Sequence, residues 1–249
     1  MKKVVILLLS ILVLSEVQAQ AQDTTAKKKP KKEWSKTGLA YRPKDHLLMQ
    51  IGYNHWMNEP DSIQDHGLPL SYNFYLMFDF PFKGNPQFSV ALGAGAGFDN
   101  KGFEYTYIDI TGQKANRLSF MNVKDTNHFK KYKMVNSYLE IPIELRFTSN
   151  PEKNLKSWKG ALGFKVGSMV GAGTRGKELQ NSNNVTINDY VLKERAKRYF
   201  NTTRLSVMAR FGYSFVSIYA CYNVNEFIKQ GFGPSDVRPL QVGLTISGL

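Results

Sequence analysis

From residue 46 onward, large apolar side chains alternate with small or polar ones, and the alternation recurs in separate segments along the rest of the chain. Successive side chains point to opposite faces only in an extended strand, so a period of two restricts the chain to β-structure. The segment Leu47, Met49, Ile51, Tyr53 sets an apolar face against Gln50, Gly52 and Asn54. Tyr72, Phe74, Leu76, Phe78, Phe80 and Phe82 oppose Asn73, Tyr75, Met77 and Asp79. Phe88, Val90, Leu92, Ala94, Ala96 and Phe98 oppose Ser89, Ala91, Gly93, Gly95 and Gly97. Five more follow: Leu139 to Phe147, Trp158 to Val170, Leu205 to Phe211, Val216 to Val224, and Leu240 to Ile246. The expectation is an all-β fold of eight strands.

Alternation alone does not separate a soluble barrel with an apolar interior from a membrane barrel with an apolar exterior. Opposite the apolar face stand Glu140, Glu144, Arg146, Lys165, Arg204 and Arg210 among glycines, and in a small membrane barrel such residues fill the lumen. Connection lengths decide the matter. The links after the second, fourth and sixth segments are short and the others long, as expected of short periplasmic turns and long surface loops. Aromatic residues gather at segment ends: Phe80, Phe82, Phe88, Phe147, Trp158 and Phe211 near the short turns, and Trp56, Tyr72, Phe74, Phe98, Tyr199 and Tyr222 near the long loops. Read together they form two interfacial girdles. The fold class expected is an eight-stranded antiparallel transmembrane β-barrel, closed because hydrocarbon offers no partner to a free strand edge.

Within that barrel the six charged residues are expected to pair as a structural ion-pair network. Gly93, Gly95, Gly97, Gly163, Gly167 and Gly171 would give them room.

The N-terminus reads as an export signal. Lys2 and Lys3 precede the apolar run Val4 to Leu14, and Ala19-Gln20-Ala21 supplies the small residues that signal peptidase needs before Gln22. The expected organisation is a signal peptide over 1–21, a basic and disordered periplasmic tail over 22–45 carrying Lys27 to Lys32, and an outer-membrane barrel over 46–249. The single cysteine, Cys221, excludes a disulfide framework.

Tyr138-Leu139-Glu140-Ile141-Pro142-Ile143-Glu144-Leu145 and the stretch from Tyr222-Asn223-Val224 through Gly231-Phe232-Gly233-Pro234 to Val242-Gly243-Leu244 resemble the PorT-family outer-membrane β-barrel proteins of Bacteroidota. The resemblance spans residues 46 to 249 and implies a barrel of the size of the small OmpA-like barrels. Some members of that family serve type IX secretion and gliding.

The function expected is that of a structural or interaction protein, its loops or tail engaging another envelope component, and not an enzyme. The alternatives are a lipid-modifying enzyme, a small channel and a type IX secretion accessory protein. An enzyme would pair His55 with Ser62 or Ser71 as base and nucleophile, and a metal site would draw on His55, His66 and Asp65. No Gly-rich phosphate loop precedes a helix, so no cofactor is expected. An excess of 33 basic over 20 acidic residues suits anionic partners, but nucleic acid is excluded by compartment and by the lack of a binding motif. The partners expected are outer-membrane lipid and lipopolysaccharide, with another envelope protein as a further candidate. The basic aromatic run His128 to Lys133 and the cations Arg195, Lys197 and Arg198 are the candidates to meet lipopolysaccharide phosphates.

Overall fold

A computed structural model describes residues 46–61, 63–112 and 116–247. The expected signal peptide and basic tail, and Ser62, lie outside these residues. The strands are β1 (Leu47–Met57), β2 (Gln64–Asp65), β3 (Leu70–Pro81), β4 (Phe88–Glu104), β5 (Thr106–Asp109), β6 (Ser119–Asn122), β7 (His128–Thr148), β8 (Trp158–Gln180), β9 (Thr186–Arg195), β10 (Thr203–Tyr213), β11 (Val216–Asn223) and β12 (Arg238–Ser247). Eight of them close a ring in the order β1, β3, β4, β7, β8, β10, β11, β12 and back to β1, every neighbour antiparallel. The closing seam runs from Leu48↔Ser247 to Met57↔Arg238. These eight strands are the eight alternating segments of the sequence.

Parity sorts the side chains as the pattern requires. Along β7, Leu139, Ile141, Leu145 and Phe147 are exposed, while Glu140, Glu144 and Arg146 are buried. The outward residues meet hydrocarbon and the inward ones fill the ring. Substituting Lys for Ile143, on the outward set near mid-bilayer, should therefore cost about 2–4 kcal/mol of unfolding stability in lipid. Val166→Leu, which only adds apolar bulk outside, should stay within about 0.5 kcal/mol. The denaturant midpoint of the refolded barrel reads both, and the reverse order would exchange inside for outside.

Two expectations about individual residues are corrected. In the β7–β8 register Ser137 faces Gly171 but Tyr138 faces Met169. The extra residue, Val170, bulges outward and shifts the inward set to Ala172 and Thr174. Gly171 therefore does not belong to the lumen row. Trp56 and Tyr199, expected in the outer girdle, are 2% and 1% exposed. Both turn inward instead of meeting lipid.

The short links 82–87, 149–157 and 214–215 share one end of the ring with the start of β1 and the end of β12, since Met77 N donates to His46 O and Ser247 N donates to Phe215 O. At the other end the long connections build structure of their own. β4, β7 and β8 continue past the ring, β9 pairs with the upper part of β8, and β5 and β6 form a hairpin. Each long connection sends apolar residues into one cluster: Ile63; Ile108, Ile110 and Leu118; Tyr199 and Phe200; Phe227, Ile228 and Val237. Trp56, Phe103, Tyr132, Met134, Tyr138 and Met169 rise from the strands to meet them. Where the sequence shows only long surface loops, a packed cap stands over the lumen.

Candidate functional site

The lumen and its cap are where the chemistry-bearing side chains gather. Glu140 sits opposite Gly95 on β4 and Gly167 on β8, neighbours that leave its carboxylate room. A Cβ at Gly167 would lie 3.0 Å from Glu140 Cγ. In that space Glu140 accepts a hydrogen bond from the Tyr75 hydroxyl at 2.5 Å and pairs with Lys165 Nζ at 3.1 Å and Arg204 Nη1 at 3.0 Å. Arg204 also pairs with Asp99, and its guanidinium lies 3.6 Å over the Tyr138 ring. A second group sits toward the short turns, where Glu144 receives Arg146 Nε at 2.7 Å and Arg210 Nη2 at 2.9 Å. Arg146 also lies 3.8 Å from Asp79, which accepts from Ser89.

Thus the six charged residues singled out in the sequence fall into two clusters, Glu140 with Lys165 and Arg204, and Glu144 with Arg146 and Arg210. The sequence reading missed Asp99, Tyr75, Asp79 and Tyr138. Tyr75 and Asp79 belong to the inward parity of their strand, so parity was the signal that could have found them.

Amides continue the network. Asp99 accepts from Gln241, Gln241 from Asn73, and Gln50 both accepts from Asn73 and donates to Thr245. Charges buried this deeply persist where each has a partner. The arrangement fills the ring with fixed side chains.

At the base of the cap, Lys101 reaches from β4 to Glu59 at 2.8 Å and to Asp65, with its ammonium 5.0 Å above the Trp56 ring. Burial pushes the Glu59 carboxyl up from its ordinary range, and Lys101 opposes the shift. The pair ties the first long connection to the barrel mouth. The other connections bind one another: Leu118 N donates to Phe232 O, Asn201 N to Phe227 O, and Lys229 N to Tyr199 O. Lys197 and Arg198, expected to meet lipopolysaccharide, instead hold this cap. Lys197 donates to Met169 O, and Arg198 donates to Gly112 O and the Tyr199 hydroxyl.

Farther out, Tyr105, Tyr107, Phe129, Tyr132 and Tyr190 wall a cavity of about 260 Å³ between the β5–β6 hairpin and the sheet. It is smaller than sites that take drug-sized ligands. Burial, reinforced by Glu194, pushes the Tyr107 hydroxyl up to about 12, so it remains a donor to that carboxylate.

Among the described residues, those considered for catalysis and metal binding are not brought together, Ser62 lying outside them. His55 points outward and stacks on Tyr53, whereas Ser71 is buried inside and donates to Gly52 O. Asp65 is engaged by Lys101 and the His66 backbone by Gly102. Among the described residues no group of three or more His, Cys, Asp or Glu side chains could hold a metal ion.

A family model described as outer membrane protein beta-barrel domain matches residues 48–248. Among solved structures the chain is similar to Ail, the attachment invasion locus protein of Yersinia pestis, in complex with the heparin analogue sucrose octasulfate. The TM-score is 0.32 at 12% identity, over 81% of this chain and 94% of that one. Comparison with curated proteins finds no match.

Proposed function

Because the chain belongs to the outer membrane protein beta-barrel domain family and is thereby an outer-membrane β-barrel protein, we propose that it acts as a structural or interaction protein, a closed barrel that presents a rigid cap to another envelope component. The observation that carries this reading is the apolar cluster to which all four long connections contribute. Each fully buried aromatic or aliphatic side chain contributes roughly 1.5–3 kcal/mol, so connections sharing that cluster hold one another in a fixed surface. Recognition lives on such connections, positioned by the strands beneath.

In the orientation usual for these barrels, short turns are periplasmic and long connections face outward. The start of β1 at the short-turn end then leaves the tail 22–45 in the periplasm, after export on residues 1–21. The stretch Tyr138–Leu145 resembles PorT-type barrels of Bacteroidota, and a type IX secretion accessory role is the narrower form of the proposal. The opposite facing of His55 and Ser71 disfavours that pair as base and nucleophile of a lipid-modifying enzyme. The paired lumen favours the scaffold over a channel.

The protein reconstituted in planar bilayers should be electrically silent, and Arg210→Ala should not open it to water, because Arg146 and the cap remain. Steady single-channel conductance from heat-modifiable, folded protein would overturn the plugged scaffold. Cross-linking in outer-membrane fractions, with the cap intact and with it proteolysed, should yield cap-dependent adducts.

A further inference from the structure

Beyond the apolar belt the outward face of β7, β8 and β9 changes character. Directly opposed residues of an antiparallel pair share a face. The pairs Lys131↔Lys177 and Lys133↔Arg175, with Arg175↔Lys193 and Gly173↔Arg195, therefore set six cations on one surface, and Lys133, Arg175 and Lys193 form a row across three strands. Lys133 is half-buried and the other five are exposed. Lys177 meets Glu178 at 3.3 Å and Lys133 donates to Asn100 at 3.3 Å. Among the described residues no carboxylate pairs with Lys131, Arg175, Lys193 or Arg195.

The acids on this face, Glu104, Glu178 and Asp189, stand toward its membrane-distal end, where β4 and β8 finish and β9 begins, and Glu194 turns to the opposite face, where it accepts from Thr174 and Tyr107. The two rows nearest the membrane, Lys133–Arg175–Lys193 and Val135–Gly173–Arg195, carry no acid. Like charges directly opposed in a sheet destabilise it, so the first row costs stability unless an anion covers it. Its height narrows the choice of anion. Strands rise about 3.4 Å per residue at a tilt near 40°, which puts Arg195 and Lys133 roughly 10–15 Å beyond Leu139. With Ile143 near mid-bilayer, that is the outer edge of the polar headgroup layer and the level just above it.

We propose that Lys133, Arg175, Lys193 and Arg195, flanked by Lys131 and Lys177, bind the phosphate groups of lipopolysaccharide in the surrounding outer leaflet. This rests on the orientation given under the proposed function and names the envelope component the cap region engages. Adjacent strands lie about 4.8 Å apart, so neighbouring cations can share one phosphate in charge-assisted hydrogen bonds. The sequence run His128 to Lys133 contains two of these cations. Arg195 also stood out in the sequence, and the register adds Arg175, Lys177 and Lys193 from β8 and β9.

The test titrates the refolded full chain in zwitterionic detergent with lipopolysaccharide, dephosphorylated lipopolysaccharide and phosphatidylglycerol. Removing four charge-assisted contacts in Lys133→Gln/Arg175→Gln/Lys193→Gln/Arg195→Gln should weaken lipopolysaccharide binding about tenfold or more, as should dephosphorylation. Wild-type affinity should fall as salt rises. Removing Lys83, Lys153 and Lys156 at the short-turn end should leave binding unchanged. If the quadruple variant loses heat-modifiability, Arg175→Gln and Lys193→Gln singly, each expected to weaken binding about threefold, decide instead. Undiminished binding by the folded variants, equal binding of dephosphorylated lipopolysaccharide, or equal affinity for phosphatidylglycerol overturns the proposal. The scaffold reading fails on other evidence, conductance or cross-linking that does not depend on the cap, so the two failures are distinguishable.

Discussion

Replacing Glu140 by Gln should lower the unfolding stability of the detergent-solubilised barrel by about 3–5 kcal/mol, the usual cost of breaking a buried ion pair from one side. Glu140 serves Lys165, Arg204 and Tyr75 at once. Arg204 retains Asp99, but Lys165, 1% exposed, loses the one carboxylate it pairs with among the described residues and keeps only neutral acceptors, the Tyr75 hydroxyl at 3.2 Å among them. The loss should therefore trace to the lysine. A Glu140→Gln/Lys165→Met double variant should recover part of it, which a double-mutant cycle on denaturant midpoints would read as coupling. A loss below about 1 kcal/mol, the size of a solvent-exposed pair, would show a lumen wet enough to solvate a bare ammonium.

The second large effect is expected in the cap. Phe227 lies 5.1 Å from the Trp56 ring and 4.9 Å from Phe200, joining the last connection to β1 and to the third. Phe227→Ala should remove about 3–5 kcal/mol, the usual toll of deleting a core aromatic. The loss should appear locally. Amide exchange over 58–69, 196–202 and 224–237 should accelerate while the ring strands stay protected and heat-modifiable migration persists, as for a separately opening unit. Uniform acceleration through the ring strands would show that cap and barrel melt as one body.

The ring was legible in the sequence because lipid on one side and fixed charge on the other leave a two-residue signature that nothing else in the chain blurs. Glu140, Glu144 and Arg146 show it best, each flanked by outward apolar neighbours. Where the rule broke, a local cause is identifiable. The bulge at Val170 changes parity within one strand, and no residue type announces it, so Gly171 was expected on the wrong face. Trp56 follows Gln50, Gly52 and Asn54 in the inward set, and its assignment to a girdle conflicts with its own strand. The cap was illegible for a different reason. Ile63, Ile108, Ile110, Leu118, Phe227 and Ile228 are isolated in polar connections, without a period, and they become a core only when four distant segments meet. The basic face was legible only in part: Lys131, Lys133 and Arg195 stood out in the sequence, but Arg175, Lys177 and Lys193 join them only through a register that no spacing within one segment reveals.

The seam between β1 and β12 sets the timetable of folding. Leu48 pairs with Ser247 and Met57 with Arg238, so the first strand to cross into the periplasm waits for the last. Contacts between such distant positions carry a large closure cost before they return anything, and they slow folding. A chain emerging strand by strand cannot finish any part of the ring early without leaving two bare edges, which invite pairing with other chains. The protein must therefore travel unfolded across the periplasm, and a chain truncated before Arg238 should accumulate there as a substrate for chaperones and proteases.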